Sequence, residues 1–209
     1  QSENDGIPSV GSSSDTNSMP EAWYLGQYGA PELSDEVLLQ WLMDTWDYSK
    51  GKPKVGMLLM SGIPFYENQR EHVIAFCQKH SDKLEWFGAE APPPTTATWT
   101  TEAERLKGCD VIMPIVSGVS LANFVKEARA RGFQGQFLSH QEGALGFWGQ
   151  VKAASDPQDF DGMVVATWQP WWDDDNESIE QIVTYCLKYN PEIDLQEYKT
   201  ATGYISGWF

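Results

Sequence analysis

From Lys54 onward the chain alternates apolar runs of strand length with stretches of helical period. Val55 to Met60 is the first such run, and Val73, Ile74 and Cys77 mark one face of a helix after it. Leu84 to Phe87 gives a second strand, followed by a Pro-Thr loop from Ala91 to Thr98 and a short helix from Thr101 to Lys107. Cys109 to Val116 is a third strand. The next stretch carries Leu121, Phe124, Val125 and Ala128 at the i, i+3, i+4, i+7 spacing of a buried helical stripe, and Gly132 stands where that helix ends. Gln136 to Ser139, a helix over Gly143 to Ala153, and Gly162 to Trp168 continue the alternation. Near-continuous apolar strands separated by amphipathic helices predict an α/β fold, a parallel sheet covered by helices on both faces in three αβα layers.

The flanks read differently. Ile7 to Val10 is a short strand that stops at the hydroxyl-rich loop Gly11-Ser12-Ser13-Ser14-Asp15. Ala22 to Tyr28 is extended and aromatic, and Ser34 is placed to cap a helix presenting Leu38, Trp41, Leu42 and Thr45. After Pro170-Trp171-Trp172, Asp175 or Asn176 is placed to cap a helix bearing Ile179, Ile182, Val183, Cys186 and Leu187, and a last helix is expected from Leu195 onward.

Charge narrows the partners. Thirty acidic against 14 basic side chains give a formal charge of −16, which repels nucleic-acid phosphates and anionic membranes. Cys77, Cys109 and Cys186 form no CxxC pair and no metal-ligand spacing with His72, His80 and His140, so no metal and no cofactor is expected. Cys77 and Cys186 sit on apolar stripes and read as buried free thiols. No apolar run approaches the ~20 residues that span a bilayer. The polar opening Gln1 to Gly6 does not read as a signal peptide, so any export signal or anchor is expected outside these residues.

Four local sequences together carry a resemblance. These are Ile7-Pro8-Ser9-Val10-Gly11-Ser12-Ser13-Ser14, Lys54-Val55-Gly56-Met57-Leu58-Leu59, Cys109-Asp110-Val111-Ile112, and the helix end Phe124 to Phe133 with Ala-Arg before its Gly132. In this order they resemble the type I periplasmic solute-binding proteins of branched-chain amino-acid and amide ABC transporters. The resemblance implies that residues 1–29 are a first-lobe remnant and first hinge crossing, that residues 30–166 are the second lobe, and that residues 167–209 are the second crossing and first-lobe helices. It also implies about 110 further residues before Gln1 and a segment after Phe209, for two domains of ordinary size.

The resemblance assigns candidate ligand contacts by position. Ser12, Ser13 and Ser14 match the first-lobe loop that holds a ligand carboxylate, and equally fit a plain turn. Glu142 matches the acid that holds a ligand ammonium, and equally fits a first-turn glutamate favoured by the helix dipole. Phe65 and Tyr66 match an aromatic contact. Ser117 and Gly118 match a second contact position where amino-acid-binding relatives often carry tyrosine. Trp168, with Trp171 and Trp172, lies on the second crossing, as a wall of the site or as hinge packing.

The function implied is an extracytoplasmic solute-binding component of an ABC importer. Its partners would be a small amino-acid, amide or aromatic-carboxylate solute and a membrane permease. A ligand-sensing domain on the same fold is the alternative. An enzyme is disfavoured, because GxSxG, HExxH, a Walker loop and GxGxxG are all missing and the acidic run Asp173-Asp174-Asp175 reads as a solvated helix start.

Overall fold

The computed structural model describes residues 9–11, 24–26, 31–141, 143–167, 170–172, 174–192 and 194. Its centre is a five-stranded sheet of β3 (Lys54–Leu58), β4 (Glu85–Glu90), β5 (Val111–Pro114), β6 (Gln136–His140) and β7 (Val164–Ala166), in the order β4-β3-β5-β6-β7. Every neighbouring pair is parallel. A separate two-stranded pair, β1 (Ser9–Gly11) and β2 (Tyr24–Gly26), runs parallel with Val10 opposite Leu25.

Alternation along the strands builds two cores. Val55, Met57 and Leu59, with Val111, Met113 and Ile115, face α1 (Pro31–Thr45) and α2 (Pro64–Lys79), where they meet Leu38, Leu39, Leu42 and Val73. Leu58, Ile112 and Val116 face the other way, toward α3 (Thr100–Leu106) and α4 (Gly118–Ala130), and join Trp99, Leu106, Leu121 and Phe124. α5 (Trp148–Ala154) covers the same second face through Val151. Each fully buried large apolar side chain contributes about 1.5–3 kcal/mol, so both sheet faces are strongly committed to burial. The expected three-layer αβα arrangement is the observed one.

The strand order fixes where the helices go. Right-handed crossovers place α2 on one face as the chain moves from β3 to β4, and the helices after β4 on the other face as the chain returns past β3 to β5. Gly56 lies at the crowded middle of this arrangement: a Cβ there would sit 2.3 Å from Cys109 Sγ.

Several boundaries differ from the sequence reading. α1 begins at Pro31, which leaves Ser34 inside the helix rather than at its cap. Proline suits the first helical position because its φ is fixed and its missing N–H would have no intrahelical partner. The helix expected over Gly143 to Ala153 is split into a 3-10 turn at Leu145–Phe147 and α5, with the Gly146 N–H held by Gln141 O at 2.8 Å. Asn176 rather than Asp175 caps α6 (Glu177–Tyr189), accepting from Ser178 N at 2.9 Å. Ile179 and Ile182 of α6 bury with Trp172 in a small cluster of their own, which favours the packing role for that tryptophan. The helix expected from Leu195 lies outside the described residues. All three cysteines are free and buried, and burial pushes the Cys77 and Cys109 thiols up to about 12.

Candidate functional site

In an open parallel sheet, ligands bind beyond the carboxyl ends of the strands, at the point where consecutive helices leave to opposite faces. Here that point lies between β3 and β5. The chain leaves β3 through Leu59 to Ile63 and enters α2 at Pro64, so Phe65 and Tyr66 stand in the first turn of α2. It leaves β5 through Ile115 to Ser117 and enters α4 at Gly118. A hollow of about 80 Å³ opens between these two departures, lined by Phe65, Tyr66, Ile115, Ser117, His140 and Gly143. Phe147 lies at its margin.

The local backbone explains how these residues converge. Ser117 is extended, with φ −127° and ψ 159°, and makes no capping hydrogen bond of its own. Gly118 follows at φ +57°, a conformation L side chains rarely adopt, and its N–H donates to Gly143 O at 3.3 Å. That bond ties the start of α4 to the segment after β6. A Cβ at Gly118 would meet Gln150 Oε1 at 2.7 Å, the end of a side chain that can move aside, so the positive φ is what demands glycine here. The rings of Phe65 and Tyr66 sit 5.5 Å apart at 59°, forming an aromatic side to the hollow.

His140, the last residue of β6, is the polar group at the site's interior. It is 3% exposed, and neither Nδ1 nor Nε2 has a hydrogen-bond partner. Burial holds its pKa down at about 4, so the ring is neutral at neutral pH. Two further polar side chains lie buried where α1 and α2 begin: Asp35 and Gln69, with no hydrogen-bond partner on either side-chain end. Beside them Asn68 Nδ2 donates to Glu32 Oε1, which pins the first turn of α1 to the first turns of α2. Burial, and then the nearby Glu32 and Glu36, raise the Asp35 pKa well above the ordinary carboxylate range.

A family model described as periplasmic binding protein matches residues 2–209. The chain belongs to the periplasmic binding protein family. Its fold is that of the type I members. A branched chain amino acid ABC transporter of Thermus thermophilus, solved with bound valine, superposes with a TM-score of 0.78 at 15% identity, covering 99% of this chain and 52% of that one. A substrate-binding periplasmic protein of Ralstonia solanacearum gives 0.78 at 16% identity, covering 99% and 56%. A fatty acid ABC transporter substrate-binding protein of Thermomonospora curvata gives 0.74 at 18%, covering 91% and 48%. This periplasmic binding protein therefore spans about half the length of the solved structures it matches. No curated protein sequence matches it.

Of the residues the sequence singled out in this binding protein, Phe65, Tyr66 and Ser117 meet around one hollow, and Gly118 shapes its rim. Ser12, Ser13, Ser14, Glu142 and Trp168 lie outside the described residues. His140 is the residue sequence reasoning passed over. The available signal was a titratable residue at the carboxyl end of a strand, Gln136 to His140, next to the segment already assigned to the ligand. Among the described residues no group of three or more His, Cys, Asp or Glu is placed to hold a metal ion. No described helix is long and apolar enough to cross a membrane.

Proposed function

We propose that the chain is part of the solute-binding component of an ABC importer, and that it captures a small amino-acid, amide or aromatic-acid solute at the carboxyl edge of its five-stranded sheet. The observation that carries this reading is the hollow at the switch point, where Phe65, Tyr66 and Ser117 converge on a buried histidine without partners. Residues 30–166 form the second lobe in this reading. Residues 1–29 and 167–209 belong to the crossings and the first lobe, in keeping with the separate β1–β2 pair and the separate core of α6. The solute touches both lobes only when they close, so its differential affinity supplies the closure. The closed form is what a membrane permease would recognise, outside the cytoplasm. No bond is made or broken.

The test is a thermal-shift screen of the intact protein against amino acids, amides, aromatic acids and fatty acids. A solute at 100 times its Kd stabilises the folded state by about 2.7 kcal/mol, a rise of about 5–10 °C for a domain of this size. Ser117→Trp, which fills the hollow from its rim, should fold and lose that rise. A screen in which no solute moves the melting temperature, or a rise that Ser117→Trp leaves intact, would overturn the reading.

A further inference from the structure

Helices α1 and α2 both begin at the carboxyl edge of the sheet, and it is α2 that carries Phe65 and Tyr66 to the hollow. The first turn of α2 has no side-chain cap. Ile63 stands at the N-cap position without a capping hydrogen bond, and Pro64 has no N–H to give. Support comes instead from α1. Tyr66 packs against the core that Leu38 and Leu39 of α1 help to build. Asn68 Nδ2 donates to Oε1 of Glu32, which lies fully buried in the first turn of α1. One turn further on, His72 Nδ1 lies 3.4 Å from Glu36 Oε1, but with side chains 36% and 40% exposed that pair competes with water. The side chains of Asp35 and Gln69, buried in the same seam, have no hydrogen-bond partner. Of these links the Glu32–Asn68 bond is the buried, charge-assisted one.

Resting on the solute-binding reading above, we infer that Glu32 is a positioning residue of the solute site: through Asn68 it sets where Phe65 and Tyr66 stand at the hollow, without touching the solute itself. An α-helix rises 1.5 Å per residue, so Asn68 lies only ~3–5 Å along the axis from Tyr66 and Phe65. Over so short a distance a helix is stiff, and a shift at Asn68 reaches both rings nearly undiminished. A hollow of about 80 Å³ has little room for such a shift, since binding contacts must be held to ~0.5 Å. The chemistry of the tie suits position better than stability. A buried carboxylate carries a desolvation cost that its hydrogen bonds offset, and matched apolar groups in place of both partners can be as stable or more so. What the polar pair adds is register: an amide donor and a carboxylate acceptor meet in one geometry, where two leucines pack in several. Only four residues separate β2 from α1, and these belong to the first crossing in the reading above. In that reading Glu32 links the crossing to the ring contacts of the hollow.

Variants of the intact protein separate position from stability. Glu32→Leu combined with Asn68→Leu replaces the polar tie by an apolar one, and Glu32→Gln keeps a carbonyl that accepts from Asn68. Urea unfolding should place the double variant close to the wild-type midpoint. Titration calorimetry with valine, glutamine, benzoate and octanoate should show its Kd raised about tenfold or more for whichever of these binds the wild type, and Glu32→Gln within about threefold. Without any solute, fluorine-19 NMR of fluorotyrosine-labelled protein reads the ring directly. The Tyr66 signal, assigned by its loss in Tyr66→Phe, should move or broaden in the double variant and hold its place in Glu32→Gln. If the double variant does not fold, Asn68→Asp, which keeps the shape and removes the donor, replaces it with the same expectations for Kd and for the Tyr66 signal. A wild-type Kd in the double variant, a Tyr66 signal that does not move, an affinity loss matched by a lowered urea midpoint, or a loss in Glu32→Gln as large as in the double variant would each overturn the assignment and leave the receptor reading intact. A wild-type protein that binds none of the four solutes and none of a wider panel loses both.

Discussion

The two ends of the sheet each carry a hollow, and they differ in the opposite sense from what size alone suggests. The amino end holds the larger one, about 640 Å³, lined by Lys107, Asp110, Arg129, Gln136 and Gly162 among others. Three of its polar side chains are already paired within the protein. The Arg129 guanidinium donates to the carbonyls of Phe133, Gly135, Asp159 and Asp161, Asp110 accepts from Lys54 N, and Gln136 donates to Gly162 O. The carboxyl end holds about 80 Å³, yet it contains the buried histidine with no partner. At the amino end the chain satisfies these groups itself, and leaving one of them orphaned would cost about 1–3 kcal/mol. An unpaired buried histidine, rather than volume, therefore distinguishes the carboxyl end from the amino end.

The largest expected effect tests the amino end as purely structural. Arg129 joins the end of α4 to the loops before β6 and β7, and its guanidinium lies 4.7 Å over the Phe137 ring. Arg129→Ala leaves four carbonyls without that donor and removes the cation–π contact, a loss of about 3–4 kcal/mol. Urea unfolding should show a lowered midpoint, with Arg129→Lys recovering less than half because an ammonium cannot span the fork. Solute affinity should not change. Unchanged stability with lost solute binding would exchange the roles of the two ends.

A slightly smaller effect probes the carboxyl end through pH. The unfolded histidine titrates near its ordinary value of about 6.5, whereas burial holds His140 at about 4. Between those values the unfolded chain binds a proton that the folded one refuses. Stability is therefore fully present above the unfolded value and falls as the pH drops through the window, by about 3 kcal/mol at pH 4. The difference in unfolding free energy between wild type and His140→Leu, followed from pH 7.5 to 4, isolates this slope from the titrating carboxylates. A flat difference would mean that the imidazole reaches water or a hidden partner.

The layered fold was legible because burial on both sheet faces forces apolar runs into the sequence. The stripe Leu121, Phe124, Val125 and Ala128 is buried throughout, and Gly132 follows the helix at φ +89° as a terminating glycine should. Four of the nine candidate contacts come together for a different reason. Phe65, Tyr66, Ser117 and Gly118 follow strands directly, and strand ends in a parallel sheet converge whatever their side chains. His140 was not legible, because the sequence shows only a lone histidine, and its burial depends on how α1 and the segment after β6 pack over its strand. The buried Glu32, Asp35 and Gln69 were hidden likewise. They occupy helix positions that read as solvent-facing until α1 is laid against α2.

Asp35 is the smallest and most discriminating case, since two electrostatic effects oppose each other there. A carboxylate in the second turn of a helix is favoured by the dipole by about 0.3–1 kcal/mol. Asp35 is 1% exposed, however, with neither oxygen paired and Glu32 and Glu36 close by, and burial followed by these charges raises its pKa well above the ordinary value. Desolvation therefore outweighs the dipole. A raised carboxyl binds its proton more tightly in the folded state, so its contribution to stability is complete below the unfolded pKa and declines as the pH rises through the folded one. The sign is opposite to that of His140. Asp35→Asn keeps the volume and removes the ionisation, so it should raise stability at pH 7.5 by about 1 kcal/mol, or ~2–4 °C in Tm, with the gain fading toward pH 4. If the variant instead loses stability at pH 7.5 and weakens solute binding, the carboxylate is being held for an occupant. The binding end would then extend from the hollow at His140 into the seam between α1 and α2.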